Sequence, residues 1–218
     1  MGYAYLHILT YKPLPHTNLY SCGRDRTVRI WKVEEGSQLV CRAKPRNISL
    51  DAVTMINDKT YFSGSENGSL SLWSVLKKKP TYVCKEAHSG KWITSVASLK
   101  STDLAATGSS DGELRLWKLD CDDHYMEEMA HLSVPGFING LAFGPSGRVL
   151  VAAIGREHRL GRWERMPSSD AKDGLQIVRL PDFGLRSVNV DANMEMTTTA
   201  TGSDSLEAAR NRILPSYE

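Results

Sequence analysis

At 218 residues with a net charge of +2, 41% hydrophobic and 8% aromatic residues, the chain has the composition of an ordinary globular protein. It holds no run of about eighteen apolar residues, which excludes a membrane-spanning helix, and its start, MGYAYLHILTYKPLP, lacks the basic segment and cleavage site of a signal peptide. Cys22, Cys41, Cys84 and Cys121 are scattered and form no C-x-x-C, so zinc and thioredoxin-type chemistry have no support and buried reduced thiols are expected.

In chain order, Ala4–Thr10 and Asn18–Cys22 read as strands joined by the proline-containing loop Lys12–Thr17, with Thr27–Val33 as a third strand and Gln38–Arg42 as an outer one. Ser49–Ile56, Tyr61–Ser63 and Leu70–Val75 follow, then a lysine-rich loop at Lys77–Lys79 and an outer strand at Tyr82–Glu86. The third unit runs through Trp92–Leu99, Leu104–Thr107 and Glu113–Leu119, with the acidic loop Asp120–Asp123 before Tyr125–Ala130. Its Asp111-Gly112 turn between apolar runs is a strong hairpin signal, because such turns need residues that tolerate positive φ. Ile138–Phe143, Val149–Ala153 and Arg159–Glu164 make a fourth unit, and Leu175–Leu180 alternates enough to be one more strand.

Four tryptophans set the register of these units. Trp31, Trp73, Trp117 and Trp163 end similar strings at spacings of 42, 44 and 46 residues. Six residues before each lies Asp25, Asn67, Asp111 or Glu157, and ten before lies Ser21, Ser63, Thr107 or Ala153. Repeats of about 40–45 residues that close on a tryptophan after an acidic turn mark WD40 propeller blades. The expected fold is an all-β WD40 β-propeller, with residues 1–181 forming about four blades of a larger ring and Leu175–Leu180 pairing with the first blade to close it. Residues 182–218 carry three basic and six acidic residues and few large apolar ones, so a polar, disordered tail with at most a weak helix at Leu206–Ile213 is expected.

The residues that might carry chemistry fall into two groups. His88, Thr107, Asp111 and Trp117 contain a histidine, a hydroxyl and a carboxylate, yet blade positions of this kind form a buried structural chain rather than a nucleophile and its base. The remaining histidines show no metal-ligand spacing, and no phosphate-binding glycine loop is present, so no cofactor, no metal and no enzymatic activity are expected. The second group is Arg156, His158, Arg159 and Arg162 in the last unit, where arginines replace the apolar alternation of the other blades. They suit either phosphate pairing or packing of their stems along a blade edge.

The strings GFINGLAFGPSG and VAAIGREHRLGRW make a resemblance specific, and GRDRTVRIWKVEEGSQLV, SGSENGSLSLWS and EAHSGKWITSVASLKSTDLAATGS agree with it. Over about residues 18–181 the chain resembles the C-terminal part of the WD40 proteins of the U3 small nucleolar ribonucleoprotein, the U3 snoRNA-interacting family. That resemblance implies a propeller of about seven blades. It implies a nuclear, nucleolar protein that binds U3 small nucleolar RNA beside box C/D proteins, including the kink-turn-binding protein. It also implies work within the small-subunit processome on pre-ribosomal RNA, away from any membrane. The other reading of the residues is a generic WD40 adaptor that presents its loops to a protein partner without RNA.

If RNA binds, the repeat register points to one face. The turn before the third strand and the loop before the first strand emerge together, which groups Arg24 and Arg26 with Lys44, Arg46, Arg156 and His158. Arg24, Arg46, Arg156 and Arg159 are the expected phosphate contacts. Lys77–Lys79 should lie on the opposite face, offset by Asp120, Asp122 and Asp123.

Overall fold

Turn chemistry organises this chain. In the computed structural model, which describes residues 7–9, 18–43, 48–99, 102–121, 123–159, 161–165, 173–181 and 196–200, three equivalent turns fold back three strand pairs. Gly68 and Gly112 take positive φ of 74° and 78°, and Arg26 takes 64° at the matching place in the first turn. Glycine adopts this conformation without a Cβ penalty, whereas Arg26 does so under strain. A side-chain acceptor stabilises each turn: the Thr27, Ser69 and Glu113 amides donate to Asp25, Asn67 and Asp111 at 3.2, 3.2 and 2.8 Å.

The first sheet contains β1 (His7–Leu9), β2 (Asn18–Cys22), β3 (Thr27–Lys32) and β4 (Ser37–Arg42), each pairing antiparallel with the next. The second contains β5 (Leu50–Met55), β6 (Thr60–Ser65), β7 (Leu70–Ser74) and β8 (Tyr82–Cys84). The third contains β9 (Ile93–Ser98), β10 (Leu104–Ser109), β11 (Glu113–Asp120) and β12 (Tyr125–Ser133). The first strands β5, β9 and β13 (Phe137–Phe143) pack side by side, so the sheets fan outward from a common inner edge.

Period-two alternation decides which sheet each side chain faces. Leu70 and Leu72 of β7 pack toward the third sheet, while Trp73 packs toward the first. Leu114 and Leu116 of β11 pack toward the fourth sheet, and Trp117 toward the second. Each fully buried leucine contributes about 1.5–3 kcal/mol relative to an exposed one, so these three intersheet layers carry the fold. Gly64 and Gly108 let the sheets approach: a Cβ at either would collide with Ile93 or Ile138 of the next sheet's first strand. Among the described residues, the two end faces present uncovered apolar side chains. Leu19, Trp31 and Val33 line an apolar groove on the first sheet, and Leu175 and Ile177 are exposed on the fourth.

The fourth sheet departs from the expected register. It orders as β13, β14 (Val149–Gly155), β17 (Gly174–Arg179) and β18 (Met196–Ala200). Between β14 and β17 the chain makes a separate hairpin of β15 (Glu157–His158) and β16 (Gly161–Arg165). Trp163 therefore does not close the fourth blade. Val178, paired with Leu150, stands where Trp117, paired with Ala105, stands in the third. Nor does the strand at Leu175–Leu180 reach the first sheet, because β17 serves its own blade as the third strand. The reason lies in the side chains: one face of β17 is buried through Gln176 and Val178, whereas the stretch 156–165 carries four arginines that an intersheet strand cannot bury without partners. Met196–Ala200, expected within the disordered tail, adds the outer strand of this sheet; the weak helix expected at 206–213 lies outside the described residues.

Candidate nucleic-acid interface

Backbone hydrogen bonds gather the turns and the intersheet loops on one face. The Ala43 amide donates to the Arg26 carbonyl at 3.1 Å, His88 to Gly68 at 3.1 Å, Ser110 to Trp92 at 2.8 Å and Val134 to Gly112 at 2.8 Å. The second strands β2, β6, β10 and β14 all end at this face, which places Arg24, Arg156 and the β15–β16 hairpin together on it. Arg24 and Arg156 are exposed, as is Lys91, a cation in the loop before β9 that the repeat register also assigns to this face but that was not among the expected contacts.

Three sheets hold the hairpin. A β-bulge in β13 between Ile138 and Gly140 turns the Asn139 side chain toward it. Asn139 Nδ2 donates to the Glu157 carbonyl at 2.8 Å, and its Oδ1 accepts the Arg159 amide at 2.9 Å. The His158 ring lies 4.3 Å from the Trp92 ring and 5.9 Å, edge-on, from Phe137. Arg159 Nη2 donates to the Asp51 carbonyl at 2.9 Å, linking the hairpin to β5 across 108 residues of sequence. The Asp51 carboxylate accepts from the Trp92 indole and the Ser49 hydroxyl, each at 2.6 Å. Burial pushes the Asp51 carboxyl above the ordinary carboxylate range despite these two hydrogen bonds. Trp92, the fifth tryptophan, is thus a hairpin support, and only its failure to end a repeat hinted at a separate role.

The expected contacts have different fates. Arg156 points outward and pairs with Asp173, at 3.2 Å from both Nε and Nη2. His158 is buried and Arg159 half-buried, both directed into the Trp92–Asp51 cluster. Arg162 falls in β16, of which only the strand pairing is described. Lys44, Arg46 and Asp122 lie outside the described residues. The loop at Lys77–Lys79 follows the end of β7 away from the turns, where the Val75 amide donates to the Lys59 carbonyl at 2.9 Å and the Lys77 amide to the Ser74 carbonyl at 3.0 Å. The Arg42 amide donates to the Lys78 carbonyl at 3.1 Å, which sets this loop at the outer rim beside the end of β4.

Burial lowers the His158 pKa to about 4, with the Arg159 charge acting in the same direction. Its ordinary value of 6.5 applies to the unfolded chain, so below that pH the unfolded state binds the proton more readily. Stability should be fully present above the unfolded value and fall as pH drops from 6.5 toward about 4. We expect urea midpoints measured across this window to decline in the parent by the equivalent of roughly 1–3 kcal/mol. His158→Gln should flatten that decline; an identical pH profile in both proteins would show that His158 is not held neutral.

The third blade brings together His88, Thr107, Asp111 and Trp117. His88 Nδ1 is 3.0 Å from Asp111 Oδ2, His88 Nε2 is 2.7 Å from Thr107 Oγ1, and the Trp117 indole donates to that same oxygen at 2.8 Å. With Nδ1 protonated, every donor meets an acceptor: imidazole to carboxylate, hydroxyl to imidazole, indole to hydroxyl. Burial raises the Asp111 pKa, but the hydrogen bonds from His88 and the Glu113 amide outweigh it and hold the carboxyl below its ordinary value. The first two blades keep only the last link, Trp31 to Ser21 and Trp73 to Ser63, both at 2.9 Å. Thr107 is fully buried, so its oxygen meets no substrate. Among the described residues no group of His, Cys, Asp and Glu is arranged to hold a metal.

The WD domain, G-beta repeat family matches the chain over residues 12–32 and 78–118. With the four fanned antiparallel sheets, this makes the chain a WD40-repeat protein whose sheets are propeller blades. It is 34% identical over 202 residues to the U3 snoRNP-associated protein-like YAOH of Oryza sativa subsp. japonica, a match that covers 80% of this chain and 39% of that protein. It is 41% identical over 141 residues to U3 small nucleolar RNA-interacting protein 2 of Homo sapiens, covering 61% of this chain and 29% of that protein. The solved structure of U3-55K superposes with a TM-score of 0.71 at 39% identity, over 76% of this chain and 52% of that one. The chain thus spans less than half the length of these two relatives.

Proposed function

We propose that this protein is a U3 small nucleolar RNA-binding WD40 component of the box C/D U3 ribonucleoprotein. It acts there without catalysis, in pre-ribosomal RNA processing within the small-subunit processome of the nucleolus. Its neighbours in that particle are the box C/D proteins, including the kink-turn-binding protein. The observation that carries the RNA contact is the exposed set Arg24, Lys91 and Arg156 on one face, beside a hairpin fixed by three sheets. The names of these relatives support U3 as the RNA. Arginine suits this task because its planar fork meets phosphate oxygens in pairs and stays charged at every physiological pH.

Crosslinking in cells, followed by sequencing of the RNA attached to the protein, tests the reading. U3 RNA should dominate the recovered reads, with crosslinked peptides from the turn face. Recovery of partner proteins with no enrichment of any RNA would instead establish the adaptor reading.

A further inference from the structure

We infer that Asp173 is a built-in competitor for RNA phosphate: its carboxylate occupies the anion seat of Arg156 and must be displaced when RNA binds. The inference rests on the RNA reading above and specifies how one contact of that face is controlled. Three N–H groups of a single residue converge on this carboxylate. The Arg156 amide donates to Oδ1 at 2.9 Å, while Nε and Nη2 both donate to Oδ2 at 3.2 Å. An amide and a guanidinium fork aimed at one anion form the same donor set that would hold a phosphate. These hydrogen bonds also hold the Asp173 carboxyl below its ordinary pKa, so it is anionic at neutral pH.

The site is built for exchange. The side chains of Arg156 and Asp173 are 66% and 63% exposed, so the pair gains little from its own contact and a phosphate reaches it from solvent. Arg156 follows β14 and Asp173 precedes β17, which puts the pair at the neck of the inserted hairpin, on the face that carries Arg24. Arg159, by contrast, is turned inward onto the Asp51 carbonyl, so of these two arginines Arg156 is the one presented outward. While Asp173 holds it, a stray anion gains little there; an RNA anchored by further contacts displaces the carboxylate. Asp173 thereby lowers affinity for anions in general and favours a ligand that engages several cations at once.

The test measures binding of transcribed U3 small nucleolar RNA to the complete chain over a salt series. Asp173→Asn keeps the size of the side chain and removes its charge. Binding should tighten about two- to fivefold, the weight of an exposed ion pair. The log–log salt slope should match the parent's, because Arg156 neutralises the same phosphate in both proteins. Asp173→Glu, which retains the charge, should bind like the parent. In an Arg156→Gln background the Asp173→Asn change should have no effect, since the two act through one seat. Weaker or unchanged binding by Asp173→Asn, in a protein whose affinity still falls with Arg156→Gln, would overturn the competitor role and leave RNA binding intact. Tightening that persists in the Arg156→Gln background would reduce Asp173 to a diffuse charge and also overturn it. If the parent binds no RNA, or Arg156→Gln changes nothing, the RNA reading of this site fails and the inference falls with it.

Discussion

Asp111→Ala should unfold at a lower urea concentration than the parent, by the equivalent of about 1–3 kcal/mol, while Glu157→Ala should cost less. Asp111 accepts from His88 and from the Glu113 amide, so its loss strands two donors, one of them on a fully buried ring. The damage then spreads along the chain, because His88 orients Thr107 and Thr107 receives the Trp117 indole. The cost of an unmet buried donor exceeds the net worth of the bond that satisfied it. Glu157 is not part of the His88–Thr107–Trp117 chain. It belongs to the separate hairpin, and the contact that ties it to β13 is made by its backbone carbonyl, which alanine keeps. Equal losses in the two variants would mean that the His88–Thr107 chain contributes nothing to the third blade.

Three blades were legible in the sequence because the same physical signals repeat in each. Asp25, Asn67 and Asp111 are turn acceptors, Ser21, Ser63 and Thr107 receive an indole N–H, and Trp31, Trp73 and Trp117 supply it. The fourth blade misled that reasoning because Trp163 imitates the spacing. Its companions betray it: Glu157 and Ala153 in place of an Asx and a hydroxyl, and arginines where a buried strand needs apolar residues. The true third strand, β17, lacks a tryptophan and begins after an insertion whose length no periodicity reveals. The site was half legible. The repeat register placed Arg24 and Arg156 on one face, but the inward turn of His158 and Arg159 depends on Trp92 and Asp51, which lie far away in sequence. A β-bulge at Asn139 and a pairing between Arg156 and Asp173 are likewise set by three-dimensional register. The lysine loop at 77–79 was assigned by strand direction alone, which does not foresee the contact with Arg42 at the rim.

Charge reversal on the turn face should have the largest effect on function. An arginine–phosphate contact is charge-assisted and worth about 1.5–3 kcal/mol, so Arg24→Glu and Arg156→Glu should each weaken binding of U3 RNA roughly tenfold or more. Each should also flatten the salt slope by about 1, because one phosphate is no longer neutralised. Lys59→Glu is the matched control. Lys59 is exposed in the turn between β5 and β6, at the opposite end of the strands from Arg24 and Arg156. The decisive measurement is therefore the salt-dependent affinity of U3 RNA for these three variants and the parent, made side by side in the complete chain. The account predicts weaker binding and a shallower slope for Arg24→Glu and Arg156→Glu, with Lys59→Glu indistinguishable from the parent. Equal weakening by all three would contradict the assignment of the face, and no change in any of them at any salt would contradict RNA binding by these blades.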